Sequence, residues 1–197
     1  GYVSGDRLYA EGLPLYTWYI RRYAGLSEEG KSMWYYTDND GNLQKTDVYG
    51  NATYYNCGSP HPDLYGGFGT TLSAYGFDLS VSFSYSLGGK AYDFGYASLM
   101  GVPIGTSGGC AIHRDALNAW SADNPTSDIP RWQYNDPNTV STSDRFLVSG
   151  SYLTLQSINF GYTLPDNWIQ RIGLSGIRVY LAADNVYYWS KRKGFDP

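Results

Sequence analysis

The feature that most constrains this chain is the stretch 68–87, FGTTLSAYGFDLSVSFSYSL. From Phe77 onward apolar and polar residues alternate without a break. Phe77, Leu79, Val81, Phe83, Tyr85 and Leu87 fall on one side, and Asp78, Ser80, Ser82, Ser84 and Ser86 on the other. A period of two is what an extended strand imposes, and a helix cannot use it. The run is about eleven residues long, beyond the usual five or six of a soluble strand and close to the roughly 9 to 11 that a tilted strand needs to cross a bilayer. Phe68, Thr70, Leu72 and Ala74 precede it with the same period, and Tyr75-Gly76 marks a tight turn between the two runs. The stretch is therefore a long hairpin with one greasy and one hydroxyl-rich face. Two environments suit that pattern: the wall of a membrane barrel, or a soluble sandwich with the greasy face in its core. Alternation alone does not choose between them.

Composition narrows the class. The chain has 197 residues, of which 42% are hydrophobic, enough to exclude general disorder. Its 21 Tyr, 6 Trp and 24 Gly describe a turn-rich β protein with many amphipathic rings, suited to interface girdles or to stacking on sugars. A net charge of -4 with interspersed signs indicates no nucleic-acid partner. No apolar run is long enough for a transmembrane helix, and the opening residues GYVSGDRLYA lack the pattern of a signal peptide. Cys57 and Cys110 lack zinc-ligand spacing. They are either a disulfide, which an oxidising compartment permits, or two unpaired thiols.

Along the chain, a first strand is expected from Leu15 to Tyr23, where Tyr16, Trp18 and Ile20 alternate with Thr17, Tyr19 and Arg21. Residues 24–63 form a long polar connection and residues 88–144 a second, with a helix candidate from Arg114 to Trp120 that places Ala116, Leu117 and Trp120 on one face. A further strand covers about 145–162, and its phase slips at Gln156-Ser157, which predicts a β-bulge. A short connection with one helical turn follows, and Ile177, Val179 and Leu181 restart the alternation. The connections thus run long, very tight, long, short, as in an up-and-down barrel with long loops at one end and short turns at the other. About five strands cannot close a barrel whose smallest form has about eight, and an open edge cannot stand in lipid. The expected fold is all-β, a part of an antiparallel transmembrane barrel belonging to a larger protein.

Several motifs then agree. GSPHPDLYGGFG, YGFDLSVSFSYSLGGKAYD, AWSADNPTSDIPRW, SDRFLVSGSYLTLQSINFGYTLP and IRVYLAADNVYYWSKRKGFDP occur in this order. Together they resemble the C-terminal part of the SusC/RagA family of TonB-linked outer-membrane proteins of Bacteroidetes. The resemblance implies a 22-stranded barrel around an N-terminal plug, energised through TonB in the outer membrane. It also implies import of glycans (oligosaccharides) or peptides with a SusD-like lipoprotein as an extracellular lid. Residues 1–197 would be the C-terminal portion of such a barrel, with the plug and final strands absent. The family's DxNxDG element corresponds here to residues 36–42, YTDNDGN. With Gly41 as sixth residue of a calcium loop, Tyr36 would fall at the first position and Asp47 at the twelfth, where oxygen ligands are required. Asp38, Asp40 and Asn42 therefore form either an Asx-rich turn or a weak metal site.

Catalytic patterns are scarce. His61 lies between two prolines, His113 beside Arg114, and no nucleophile elbow, zinc-protease or phosphate-loop spacing occurs. No enzymatic activity and no cofactor are expected. The candidate ligand-binding residues are aromatics of the outer loops, Trp34, Tyr35, Tyr36, Tyr54, Tyr55, Trp132 and Tyr134, which either meet cargo or pack the loops. Tyr162, Trp168, Tyr187, Tyr188 and Trp189 suit interfacial anchors. The competing function is a soluble or surface-attached, aromatic-rich β-sandwich that binds carbohydrate.

Overall fold

In a computed structural model of the chain, the alternating stretch is a hairpin of two long strands, Pro62–Ala74 and Phe77–Gly88. The structure describes residues 1–103, 111–170, 173 and 175–191. In chain order the strands are β1 (Tyr2–Ser4), β2 (Arg7–Tyr9), β3 (Thr17–Arg21), β4 (Tyr23–Leu26), β5 (Ser32–Thr37), β6 (Leu43–Thr46) and β7 (Tyr54–Gly58). The hairpin supplies β8 and β9, and β10 (Lys90–Tyr92), β11 (Leu147–Ser149), β12 (Tyr152–Thr163) and β13 (Arg178–Ser190) follow. Two short α-helices, α1 (Phe94–Leu99) and α2 (Asp166–Ile169), and several 3-10 turns complete the described elements.

The chain divides into two compact units. The unit of residues 61–89 and 149–197 contains an antiparallel sheet in the order β13-β12-β9-β8. Its turn at Tyr75-Gly76 has φ of 53° and 83°, so both central residues are left-handed, as a two-residue hairpin loop requires. A Cβ on Gly76 would stand 2.7 Å from the carbonyl oxygen of Thr163, which leaves room for glycine alone. Register then carries the alternation across all four strands. Leu72 lies opposite Leu79, Thr70 opposite Val81 and Phe68 opposite Phe83. In turn Leu79 faces Phe160, Val81 faces Ile158, and Phe160 faces Leu181. Opposed residues project to the same side of a sheet, so these join into one apolar face. Phe68 stacks on Phe83 with ring centroids 4.9 Å apart, and Phe77 lies 4.3 Å from Tyr162.

The opposite face is hydroxylated. Ser80, Ser82 and Ser84 face Asn159, Ser157 and Thr154, and the Ser82 and Ser157 hydroxyls are hydrogen-bonded at 2.8 Å. At its turn end the Arg178 guanidinium donates to both oxygens of Asp78, at 3.2 and 2.6 Å. The expected bulge is present: both pairings of β12 shift register between Leu155 and Ser157; β13 places Asn185 and Val186 between the partners of these two residues, and against β9 Gln156 is the extra residue. It keeps Leu153 and Leu155 on the same face as Ile158 and Phe160 despite their opposite parity. The apolar face is open, with Phe68 56%, Leu72 61% and Leu181 72% exposed. A hairpin of a soluble sandwich would bury those side chains; a barrel wall gives them to lipid.

The second unit comprises residues 1–60 and 90–148. It holds the sheets β1-β2-β3-β7 and β4-β5-β6 and the pair β10-β11. Its core gathers Trp18, Ile20, Cys57, Tyr92, Ala97, Met100, Ala116 and Phe146. This corrects the expected first strand from Leu15 to Tyr23. The strand is β3, five residues long, paired with β2 and β7, and its alternating side chains Trp18 and Ile20 are buried in this core. Periodicity could not distinguish a core from lipid, and five residues are too few to cross a bilayer. The helix candidate is also corrected. Arg114–Asn118 is a 3-10 turn, in which Ala116 is buried and Leu117 is 78% exposed, because three residues per turn separate neighbours that an α-helix face would have brought together. Cys57 is a buried thiol bonded to the Ile20 carbonyl at 3.6 Å, while Cys110, its possible disulfide partner, lies outside the described residues.

Candidate functional site

The predicted aromatics are distributed by strand geometry. Trp34, Tyr35 and Tyr36 are consecutive in β5, so Tyr35 faces away from the other two. Trp34 points into the unit at 1% exposure, edge-on to Tyr49 with centroids 5.2 Å apart. Tyr35 projects to the opposite side, where the Arg22 guanidinium lies 5.2 Å from its ring centroid and the Lys45 ammonium 5.8 Å. Tyr36 lines a polar cleft of ≈ 430 Å³ with Asp38, Asn39 and Lys45.

Within β7, Tyr54 and Tyr55 likewise separate. Tyr54 stacks with Tyr19 and accepts a hydrogen bond from Arg21 Nη1 at 3.0 Å. Tyr55 hydrogen-bonds through its hydroxyl to Thr37 Oγ1 at 3.0 Å, and its ring lies 5.5 Å from the Arg22 guanidinium. Tyr35 and Tyr55 thus converge on one cation. Trp132 and Tyr134 lie in the segment between the 3-10 turns and are 44% and 63% exposed. The structure does not bring them into the clefts lined by the other aromatics.

The acidic element is a turn. Asp38 Oδ1 accepts the backbone N–H groups of Asp40 at 3.0 Å and Asn42 at 2.7 Å. The Asn42 bond chiefly holds the Asp38 carboxyl below its ordinary range. Its backbone closes with Asp38 N–H to the Asn42 carbonyl and Gly41 N–H to the Asp38 carbonyl. Asp38 Oδ1 thus closes an Asx-type turn on its own chain.

Sequence reasoning missed the charged residues of a second cleft, ≈ 620 Å³, lined by Arg22, Tyr55, Asn56, Lys90 and Asp144 among others. Arg22 follows β3, and its carbonyl accepts the Tyr35 N–H at 3.0 Å. Lys90 opens β10, anchored by its N–H to the Ser59 carbonyl and by its own carbonyl to Trp18 Nε1. Asp144 begins a 3-10 turn and accepts the Tyr23 N–H at 2.7 Å. Burial pushes the Asp144 carboxyl above its ordinary range, against that hydrogen bond and the attraction of Arg22 and Lys90. These residues are separated by up to 122 positions in the chain, and no local pattern links them. Among the described residues, no group of three His, Cys, Asp or Glu is placed to hold a metal.

The interfacial aromatics also sort by face. Tyr162 lies opposite Phe77, and Tyr187 and Trp189 lie opposite Leu155 and Leu153, all on the apolar side. Tyr188 lies opposite Thr154 and belongs to the hydroxyl face, a correction to its expected anchoring role. Trp168 is 64% exposed on α2.

No family model matches the chain. Two TonB-dependent receptors of Formosa agariphila match it, one 31% identical over 140 residues and the other 29% over 143. Each alignment covers 71% of this chain but only 13% and 14% of the receptors. The structure is similar to the RagAB peptide transporter, with a TM-score of 0.71 and 27% identity over 92% of this chain and 20% of that one. It is also similar to the RagAB peptide importer in its closed-closed state, with a TM-score of 0.73 and 25% identity over 99% and 22% of the two chains. Relatives so named are outer-membrane proteins, and a sheet with one open apolar face is consistent with part of such a barrel. The chain accordingly belongs to the TonB-dependent outer-membrane receptors of the SusC/RagA kind and corresponds to a minor part of their length.

Proposed function

We infer that the whole protein is an active transporter of the outer membrane, energised through TonB, that imports oligomeric nutrients with the help of a SusD-like lipoprotein. Residues 1–197 supply a C-terminal portion of its barrel, while the plug and the final strands belong to other parts of such a protein. The observation that carries this reading is the pairing of an exposed apolar face across β8, β9, β12 and β13 with a hydroxylated face behind it. That arrangement suits a wall between lipid and an aqueous lumen, and it does not suit the sandwich alternative. Peptides are the favoured cargo over oligosaccharides, because the structural relatives are a peptide transporter and a peptide importer. Tyr35, Tyr36, Tyr54, Tyr55, Trp132 and Tyr134 contact cargo or lid in this reading, while Trp34 is buried against Tyr49 and holds the loop unit together. Chemistry on the cargo is not required, since import is driven by the proton gradient through TonB and breaks no bond of the cargo.

The test is uptake by cells that carry or lack the intact receptor. Fluorescent decapeptides and labelled oligosaccharides are offered separately, with and without a dissipated proton gradient. Receptor- and gradient-dependent peptide entry is expected, together with co-purification of a lipoprotein. Entry of oligosaccharides alone would move the cargo to glycans, and gradient-independent entry of either would overturn TonB-driven import.

A further inference from the structure

Resting on the reading of peptide import, we propose that the cleft between Arg22, Lys90 and Asp144 is a subsite that takes a carboxylate of the peptide, either an acidic side chain or the free C-terminus. The cleft carries two cations and one carboxylate, so its net charge is positive. Neither cation is consumed by the acid. Among the described residues the ion pairs join Lys31 to Glu29, His113 to Asp115 and Arg178 to Asp78, and none joins Arg22 or Lys90 to Asp144. Asp144 is instead committed to the Tyr23 N–H.

Arg22 is oriented without being used up. The rings of Tyr35 and Tyr55 hold its guanidinium at 5.2 and 5.5 Å, and its side chain makes no hydrogen bond among the described residues. A guanidinium presents five donors in a planar fork, the geometry that meets a carboxylate with two parallel bonds. Lys90 is oriented by different means. Its Nζ donates to the Cys57 carbonyl at 2.6 Å, leaving further donors of the ammonium available. The stem lies close over Gly58, where φ is 106° and an added Cβ would stand 3.3 Å from Lys90 Cε and Nζ. Any side chain at Gly58 would crowd the ammonium.

The same cleft favours an extended peptide as the bearer of the carboxylate. Strand β7 is the terminal strand of the sheet β1-β2-β3-β7, so one of its sides is unpaired within that sheet. The residues of that strand, Tyr55 to Gly58, line the cleft. The Cys57 carbonyl is held by Lys90 Nζ and the Gly58 N–H by Asn56 Oδ1, so a peptide laid along this edge would use the main-chain groups about Tyr55 while its acid meets Arg22 and Lys90. A sugar acid would use the two cations but has no backbone with which to extend the sheet.

The test uses the intact receptor in detergent and one labelled decapeptide sequence in four forms: with or without a single Glu, each as free acid or C-terminal amide. A glucuronate-containing oligosaccharide is the fifth probe. The acid-bearing peptides are expected to bind about tenfold more tightly than the neutral amide, the scale of one charge-assisted pair. Comparison of the Glu and free-acid forms identifies which carboxylate is taken. Arg22→Gln and Lys90→Gln should each abolish the preference, whereas Lys31→Gln, which removes a cation elsewhere, should retain it. Equal affinity of all four peptides would overturn the subsite while leaving peptide import standing. Preference surviving in both cleft variants, or lost equally in Lys31→Gln, would overturn it as well. Tight glucuronate binding without peptide binding would refute the peptide assignment of both cargo and subsite.

Discussion

Val81→Arg offers a direct measure of which face of the sheet meets lipid. Val81 lies opposite Thr70 on one neighbour and Ile158 on the other, four residues from Phe77 and six from Leu87. With about 3.3 Å of rise per residue and a strand tilt of about 40°, these separations span about 10 and 15 Å along the membrane normal. Their sum of about 25 Å equals the height of a typical apolar band, and Val81 falls near its middle. An arginine at that depth is expected to cost about 2–4 kcal/mol, or roughly 30- to 1,000-fold in the folding equilibrium. Ser84→Arg is the paired control. Ser84 lies opposite Gly67 and Thr154 on the hydroxyl face, where a charge enters the lumen and should cost less than about 1 kcal/mol. Both variants of the intact receptor would be folded into vesicles and titrated with urea, with tryptophan fluorescence as the signal. Equal penalties, or a larger one at Ser84, would refute the assigned lipid face.

Deleting Gln156 should remove the bulge between Leu155 and Ser157 and leave Leu155 and Ile158 two positions apart on one face, so that the heat-modifiable barrel band persists on gels, whereas deleting Asn159 should turn the end of β12 to the wrong side and abolish it. Gln156→Ala, at an exposed position, should retain that band. Trp34→Ala empties a site only 1% exposed and should cost the loop unit about 3–5 kcal/mol. Limited proteolysis would then cut within residues 24–60 while the barrel band persists, and unchanged resistance would show that Trp34 is not a core residue. Asp144 titrates in the unusual direction for a carboxylate. Its folded value is raised by burial, so the folded state holds the proton more tightly, and its contribution to stability is present at low pH and lost as pH rises through the folded value. Hydrogen exchange at the Tyr23 amide should therefore quicken over that interval above the ordinary carboxylate range. Asp144→Asn should abolish the interval, and a wild-type amide that slows as pH rises through it, after correction for intrinsic exchange, would contradict the sign.

How much was legible depended on whether the signal was local. The β8-β9 hairpin, its Tyr75-Gly76 turn and the bulge at Gln156 follow from residue order alone, because alternation, left-handed turn positions and a change of parity are properties of consecutive residues. The motif order also pointed to the receptor family before any fold was known. The same local rule misled at Thr17–Arg21, since Trp18 and Ile20 alternate identically whether they face lipid or the core around Phe146.

The site was less legible for the same reason. Trp34, Tyr35 and Tyr36 could be named as aromatics, but strand geometry sends Trp34 into the core and leaves Tyr35 beside Arg22. Arg22, Lys90 and Asp144 carry no shared motif and come together only when β3, β7 and β10 are in place. The sequence by itself determined the long strands of the β13-β12-β9-β8 sheet, the turn, the bulge and the two-faced character of the hairpin, through the periodicity of neighbouring side chains; the short strands β5 to β7 inside the expected connection 24–63 carry no such run. The tertiary structure alone decided which alternating strand joins the barrel wall and which rings and charges share a cleft, because those choices rest on contacts between residues far apart in the chain.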